Sequence, residues 1–359
     1  MPENAYVVLK PVLESGRLAT GPQVGAFESQ LAGWLGHPQV AALSDASAAL
    51  TLALYQAGVR PGDEVIASPL ACSATLMPIA NLFAKPVWCD IDPMTGMPDA
   101  EKIEARITGK TRAILIYHWS GDVADMDAIA AVAARHKIKL VEDASEAFGA
   151  ECRNRRLGGV ADFTVYSFYA TKHINCGEGA ALLAKNPDDV DAARRLRRFG
   201  IDYASMRLPN GDLNPRFDIP VAGYNFPMNE IAATLGMEGL RHAGRIVAQH
   251  QANGRHYETA LSGISGLHLL KRRQDCLSGY WTYSLLAGRR DELMRKLVSH
   301  GIGVQRLHLR NDAYTCFGGR RQELPGLAEF DAMNISIPCG WWVGAEEREC
   351  IVETIRTGW

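Results

Sequence analysis

The stretch "SFYATKHINCGEGA" (167–180) opens as an aromatic strand and closes on a glycine pair, with one lysine, Lys172, between them. A strand that ends on a long flexible amine, just before a backbone that must bend, suits the carboxyl edge of a sheet. A solvated surface lysine is the plain reading. An amine used as a reagent is the sharper one, and the flanking sequence decides between them.

Upstream, residues 41 to 185 alternate strand and helix signals. "AALTLALYQAG" (48–58) reads as a helix ended by glycine, and "RPGDEVIAS" (60–68) as a turn and a short strand. "AKPVWCDID" (84–92), "TRAILIYHW" (111–119), "KLVEDAS" (139–145), "DFTVYSF" (162–168) and "GAALLAK" (179–185) are apolar strand runs. "DMDAIAAVAARHKI" (125–138) has helical spacing. Strands that alternate with helices, and are apolar almost throughout, predict an α/β fold with a mostly parallel sheet sandwiched by helices.

Downstream the character changes. "PDDVDAARRLRRFG" (187–200) is a charged helix, followed by a loop rich in Pro, Gly and Asn (203–225). One long helix is expected from near Met228 past His250. Beyond it, "GYWTYSLLA" (279–287) and "GIGVQRLHL" (301–309) read as strands. "RDELMRKLVSHG" (290–301) and "AEERECIVETIRT" (345–357) read as helices. The expected division is a large domain over 1–246 and a smaller C-terminal α+β domain over 247–359.

Composition narrows the function. Apolar residues make up 47% of the 359, and the formal charge is −2, which favours neither nucleic acid nor a membrane surface as a partner. The N-terminal "MPENAYVVLKPVLESGR" has no basic region followed by an apolar core, and no apolar run is long enough for a membrane span. A cytoplasmic location is expected. The eight cysteines are scattered without a C-x-x-C pair, so reduced thiols and no metal site are expected.

Three strand ends or helix starts carry chemistry-bearing residues. Asp143 ends "KLVED", Ser167 and Lys172 follow "DFTVYSF", and "LSDASAAL" (43–50) opens a helix with small polar residues. Singly, each has a plain reading as a solvated acid, a surface lysine or an N-cap. Together they suit pyridoxal phosphate. Its phosphate needs backbone N–H groups at a helix N-terminus, which the turn at Ala46 and Ser47 supplies. Its pyridine nitrogen needs a carboxylate such as Asp143, and its aldehyde needs an amine such as Lys172 for a Schiff base.

The chain resembles the nucleotide-sugar aminotransferases of the DegT type, which have the fold of aspartate aminotransferase (fold type I). The resemblance runs through "LATGPQVGAFE" (18–28), "LSDASAAL", "PGDEVIASPL" (61–70), "VWCDIDP" (87–93), "VEDASEAFGA" (141–150), "SFYATKHINCGEGA" and "GYNFPMNEIAATLG" (223–236). Seven blocks in order make it specific. It implies a pyridoxal 5'-phosphate enzyme that moves an amino group from L-glutamate to a keto sugar. The acceptor it implies is a nucleotide-linked 3- or 4-keto-6-deoxy sugar, in surface polysaccharide, O-antigen or secondary-metabolite synthesis. By the same resemblance Lys172 is the Schiff-base lysine, Asp143 the pyridinium partner and Glu146 a contact to the cofactor 3-hydroxyl. Ala46, Ser47 and Ser167 are phosphate contacts, and Asn225 reaches the phosphate of the neighbouring subunit in a homodimer with shared sites. His173 and His308 are candidate substrate contacts.

The departures are specific. Cys72, in "PLACSAT" (69–75), stands where an aromatic residue often stacks on the ring. Asp45, Ala46 and Ser47 replace a common Ser-Gly-Thr. Phe226 and Pro227 follow "GYN" in place of an arginine. Arg310, Asn311 and Asp312 after His308 suggest a distinct substrate. The weighed alternatives are a sugar dehydratase of the same fold, in which histidine replaces the lysine, a non-catalytic regulator, and an aminotransferase acting on a small phosphorylated ketone. The presence of Lys172 with Asp143 speaks against the first two.

Overall fold

The computed structural model describes residues 4–359; residues 1–3, the start of the stretch read above for a leader, lie outside them. The N-terminal part contains nine strands: β1 Ala41–Leu43, β2 Glu64–Ala67, β3 Lys85–Trp88, β4 Thr111–Tyr117, β5 Lys139–Asp143, β6 Glu151–Cys152, β7 Arg155–Arg156, β8 Phe163–Ser167 and β9 Ala180–Ala184. Seven of them form one sheet in the order β1-β9-β8-β5-β4-β2-β3. The run from β8 to β3 is parallel, while β9 runs the other way and pairs antiparallel with both β8 and β1. The parallel pairing brings the carboxyl ends of β4, β5 and β8, and so Tyr117, Asp143 and Ser167, to one edge.

Helices cover both faces, because strands this apolar must be buried on both sides. They are α1 Ala5–Ser15, α2 Pro22–Leu35, α3 Ala46–Gln56, α4 Ser73–Asn81, α5 Ala100–Glu104, α6 Met126–His136, α7 Pro187–Leu196, α8 Glu230–Arg241 and α9 Ala243–Ala260. One apolar layer gathers Leu50, Leu54, Ile79 and Ile129 against the sheet. The other gathers Phe27, Leu31, Phe148, Phe168 and Leu235. Within the sheet, Glu142 on β5 accepts from His118 Nε2 (2.8 Å) and from the Thr164 hydroxyl (2.6 Å), which ties three adjacent strand segments together. The C-terminal part holds β10 Leu267–Leu269, β11 Cys276–Leu277, β12 Tyr283–Ala287 and β13 Asn334–Ile337 with α10 Arg290–Ser299, α11 Pro325–Met333 and α12 Ala345–Arg356. Strands β10, β12 and β13 form a small antiparallel sheet, and β11 pairs instead with the β6–β7 hairpin. Among the described residues no helix is long and apolar enough to cross a membrane.

Three sequence expectations are corrected. The single long helix is two, since His242 closes α8 and opens α9 with φ −99° and ψ −3°. "GIGVQRLHL" is not a strand: its ladder is one bridge, Gln305 to Ser336, and the rest is irregular chain that carries His308 inward. The cysteines are not all free, because Cys152 and Cys276 face each other across the β6–β11 pairing and form a disulfide. Their separation of 124 residues hides this pairing from any local spacing rule. Residue 247 lies inside α9, whose Ile246 and Val247 pack in the large core while Tyr257 packs in the small one.

The crossing that joins the two parts is tight. Gly121, at φ +100°, lies where an added Cβ would meet Tyr280 N at 2.7 Å, Glu146 O at 2.9 Å and Trp281 N at 3.0 Å. Its carbonyl accepts from Gly279 N–H (2.9 Å). A side chain here combines an unfavourable backbone angle with contacts to backbone atoms that cannot swing away. Gly121→Ala is expected to destabilise the protein by about 2–4 kcal/mol, read as a lowered urea midpoint at unchanged slope.

Candidate active site

Asp143, the last residue of β5, is buried at 1% exposure. Thr75, in the first turn of α4, donates its hydroxyl to Oδ2 (2.7 Å), and Ser145 N–H donates to Oδ1 (2.9 Å). Burial pushes this carboxyl above its usual range, against the hydrogen bonds from Ser145 and Thr75 and the charge of Lys172. Three residues on, Glu146 is fully buried. It accepts from Ser120 N–H at Oε2 (2.9 Å), and its Oε1 lies 3.1 Å from His308 Nε2 and 3.5 Å from Lys172 Nζ. Burial alone would raise Glu146 too, but the Lys172 charge and bonds from His308 and Tyr117 hold it below the ordinary carboxylate range. Two acids three residues apart are thus pushed in opposite directions by their surroundings, a pattern typical of sites that move protons.

Lys172 is set by the turn after β8, where its N–H donates to Tyr169 O (2.9 Å). Its Nζ lies 3.6 Å from the centre of the Trp281 ring, and the Trp281 indole N–H donates to Thr171 O (2.8 Å). An ammonium over an indole face is attracted by the ring quadrupole. Cys72, the N-cap of α4, is in the same cleft: its thiol feels Glu146, Lys172 and Asp143, and burial pushes it up, so it stays protonated. Ser167 ends β8 and accepts from Tyr169 N–H (3.2 Å). At the start of α3, Asp45 caps the helix by accepting from Ala48 N–H (2.8 Å), and the Ser47 hydroxyl donates to Ala74 O (2.9 Å). The backbone N–H groups of Ala46 and Ser47 have no acceptor among the described residues.

Lys172, Asp143, Glu146, Cys72 and His308 are therefore brought together. His173 is not with them. It is 2% exposed, with Nε2 bonded to Gly279 O (2.8 Å) and its ring 4.3 Å from that of His250. Burial pushes it well below the normal imidazole range, so the neutral ring packs between Gly279 and His250. Asn225 is exposed, at a bridge with Arg198 before α8. Three contributors went unread in the sequence. Tyr117 could have been found from its place at the end of the "TRAILIY" strand. Thr75 could have been found as the hydroxyl three residues after Cys72. Trp281 carries no local signal, because it arrives from 109 residues beyond Lys172.

This donor set fits pyridoxal phosphate. A buried carboxylate with oxygen lone pairs to spare suits a protonated ring nitrogen, and the open N–H groups at the start of α3 suit a phosphate. The family model for the DegT/DnrJ/EryC1/StrS aminotransferase family matches residues 3–356. The chain belongs to that family. It is 31% identical to the spore coat polysaccharide biosynthesis protein SpsC of Bacillus subtilis over 358 residues, covering 96% of this chain and 91% of SpsC. The crystal structure of sugar aminotransferase CalS13 from Micromonospora echinospora superposes with a TM-score of 0.94 at 34% identity, covering 100% of this chain and 98% of CalS13. DesV of S. venezuelae follows at 0.90 and 27%, covering 99% and 94%. The protein is accordingly a pyridoxal 5'-phosphate-dependent aminotransferase of the sugar-aminating family, with the fold type I architecture of its neighbours.

The raised carboxyl of Asp143 has a thermodynamic consequence. An acid whose folded value lies above its unfolded one binds more protons when folded, so its contribution to stability falls as pH rises from about 4 through the folded value. Asp143→Asn removes that loss. Without cofactor, the variant is expected to gain on the wild type as pH rises from about 4 to 7, read from urea midpoints at both values. A stability difference that is flat with pH would show that Asp143 is not held in its costly charged form.

Proposed function

We propose that this aminotransferase moves an amino group from L-glutamate to a nucleotide-linked 3- or 4-keto-6-deoxy sugar, as a cytoplasmic homodimer. The observation that carries the reading is one amine, Lys172, set beside the buried carboxylate of Glu146 and within the field of Asp143 at the carboxyl edge of a parallel sheet. The names of SpsC and CalS13 support a keto-sugar acceptor and a place in polysaccharide or secondary-metabolite synthesis. We divide the chain into a cofactor-holding part (1–246) and a C-terminal part (247–359), a boundary that falls inside α9.

Bound pyridoxal phosphate supplies an aldehyde that takes up amino groups and a ring that withdraws electrons from the carbon losing its proton. The chain's own residues do the rest. Lys172 Nζ anchors the cofactor at rest and, once released, moves a proton away from the α-carbon of the amino donor. Asp143 keeps a proton on the ring nitrogen by charge. The Ala46 and Ser47 N–H groups and the Ser167 hydroxyl would hold the cofactor's phosphate, Glu146 would serve its 3-hydroxyl and Cys72 would line the space for its ring. We assign Asn225, exposed ahead of α8, to the phosphate of the neighbouring subunit's site.

Three outcomes test this reading. Borohydride reduction of the yellow holoenzyme should fix the cofactor to a single peptide that contains Lys172; a label elsewhere overturns the site. Asp143→Asn should lower the rate ~100-fold or more, because asparagine cannot hold the ring proton by charge. Mixing Lys172→Ala with an inactivating Asn225 variant should restore ~25% of wild-type activity once subunits exchange, since half the dimers are mixed and each of these has one intact site. Exchange without recovery would return Asn225 to its own subunit's site.

A further inference from the structure

We propose that Trp281 is a positioning residue that seats the Lys172 amine whenever it is free of the cofactor, so that the amine returns to one place between the two halves of the transfer. The inference rests on the assignment of Lys172 above and adds the aromatic surface that receives the amine. A lysine ends in a compact charge on a four-carbon stem, and one contact does not hold such a stem in place. Lys172 has two. Its Nζ lies 3.5 Å from Glu146 Oε1 and 3.6 Å from the centre of the Trp281 ring. The carboxylate sets how far the amine reaches, and the ring sets the side on which it rests. The attraction of an ammonium to an indole face comes from the ring quadrupole, which an aliphatic side chain lacks.

Both sides of this seat are anchored on one crossing of the chain. The Trp281 indole N–H donates to Thr171 O (2.8 Å), the carbonyl next to Lys172 in sequence, so the ring is tied to the turn that carries the amine. Ser120 ties the carboxylate to the same place. Its N–H donates to Glu146 Oε2 (2.9 Å), and its hydroxyl donates to Thr282 O (2.9 Å), one residue after Trp281. Gly121 leaves the segment no room to drift, because an added Cβ there would meet Tyr280 N at 2.7 Å and Trp281 N at 3.0 Å. Trp281 itself is only half-buried, so the core does not call for a ring of this size. The hydrogen bond and the cation contact of its indole both go to residues 171 and 172.

The test compares wild type with Trp281→Leu and Trp281→Phe, each as full-length holoenzyme and as the same chain stripped of cofactor. Pyridoxal phosphate is added back to the stripped protein, and its covalent capture by Lys172 is followed by absorbance and by borohydride trapping. Trp281→Leu should capture it about tenfold more slowly than wild type, and kcat of the holoenzyme should fall by a similar factor. Trp281→Phe keeps an aromatic face and loses the N–H, and should restore the capture rate to within about threefold of wild type. Pyridoxamine phosphate forms no bond to Lys172, and should bind all three stripped proteins with affinities within about twofold of one another. Capture by Trp281→Leu at the wild-type rate overturns the proposal. So does equal slowing in both variants, which would place the effect in the bond to Thr171. Weaker binding of pyridoxamine phosphate by Trp281→Leu, in step with slower capture, shows a deformed pocket and overturns it as well. Peptide mapping of the trapped wild type separates the two readings. A label away from Lys172 overturns both the seat and the site assignment, whereas a label on Lys172 with no response to Trp281→Leu overturns the seat alone.

Discussion

The ion pair between Lys172 Nζ and the fully buried Glu146 is the contact on which the carboxyl edge of the sheet depends. Glu146 could not be buried alone, because the cost of stripping water from a carboxylate exceeds what a single neutral hydrogen bond returns. Its partners come from three separate stretches of chain: Ser120 after β4, Lys172 after β8 and His308 from the C-terminal part. The acid therefore forces convergence. Placing it correctly requires the β4–β5–β8 ladder to be in register and the C-terminal part to be docked.

That docking has its own constraint at Gly121. Residues 279–281 cross the loop after β4 so closely that only glycine fits, and the same crossing brings Trp281 to the Lys172 amine. Beside it, the His173 and His250 rings lie against each other at a 39° tilt, each bonded to a carbonyl of this crossing segment, Gly279 O and Tyr280 O. Burial lowers His250 to about 4, so this pair carries no charge at neutral pH and acts as packing with hydrogen-bond direction. Farther out, the Cys152–Cys276 disulfide ties β11 to the β6–β7 hairpin, five residues before Trp281. The position of the aromatic face under the reactive amine is thus fixed from both sides.

How much of this was legible follows from the range over which each feature is encoded. The parallel sheet, the helix start at Asp45 and the positions of Asp143 and Lys172 at the strand ends are written in contiguous runs, so periodicity and strand-end logic reach them. His173 was misplaced because adjacency to Lys172 in sequence says nothing about direction at a turn, and here the two side chains part. The break at His242 was invisible because its flanks are both helical, and the nearby Gly239 and Gly244 lie inside the two helices and not at the break. The disulfide and Trp281 depend on residues more than a hundred positions away, and no local pattern contains them. "GIGVQRLHL" has strand-like composition, yet it runs as an irregular segment because His308 must turn in towards Glu146.

The segment after His308 shows how an unusual sequence can act without touching a ligand. Arg310 and Asp312 form a buried pair, with Arg310 Nη2 2.7 Å from Asp312 Oδ2, and Asp312 also accepts from Gln322 N–H. Asn311 Nδ2 donates to Pro69 O (3.0 Å) and Ala71 O (2.8 Å), the carbonyls just ahead of Cys72. These side chains are spent on holding their own loop to the Cys72 loop. Their effect on the reaction is indirect: they set the height of His308 over Glu146 and the approach of Cys72 to the cleft. Because a bidentate buried ion pair and a doubly bonded amide leave little slack, a substitution here shifts two walls of the cleft together. Changing the 69–72 wall or the 308–312 wall without the other leaves a buried polar group unpaired.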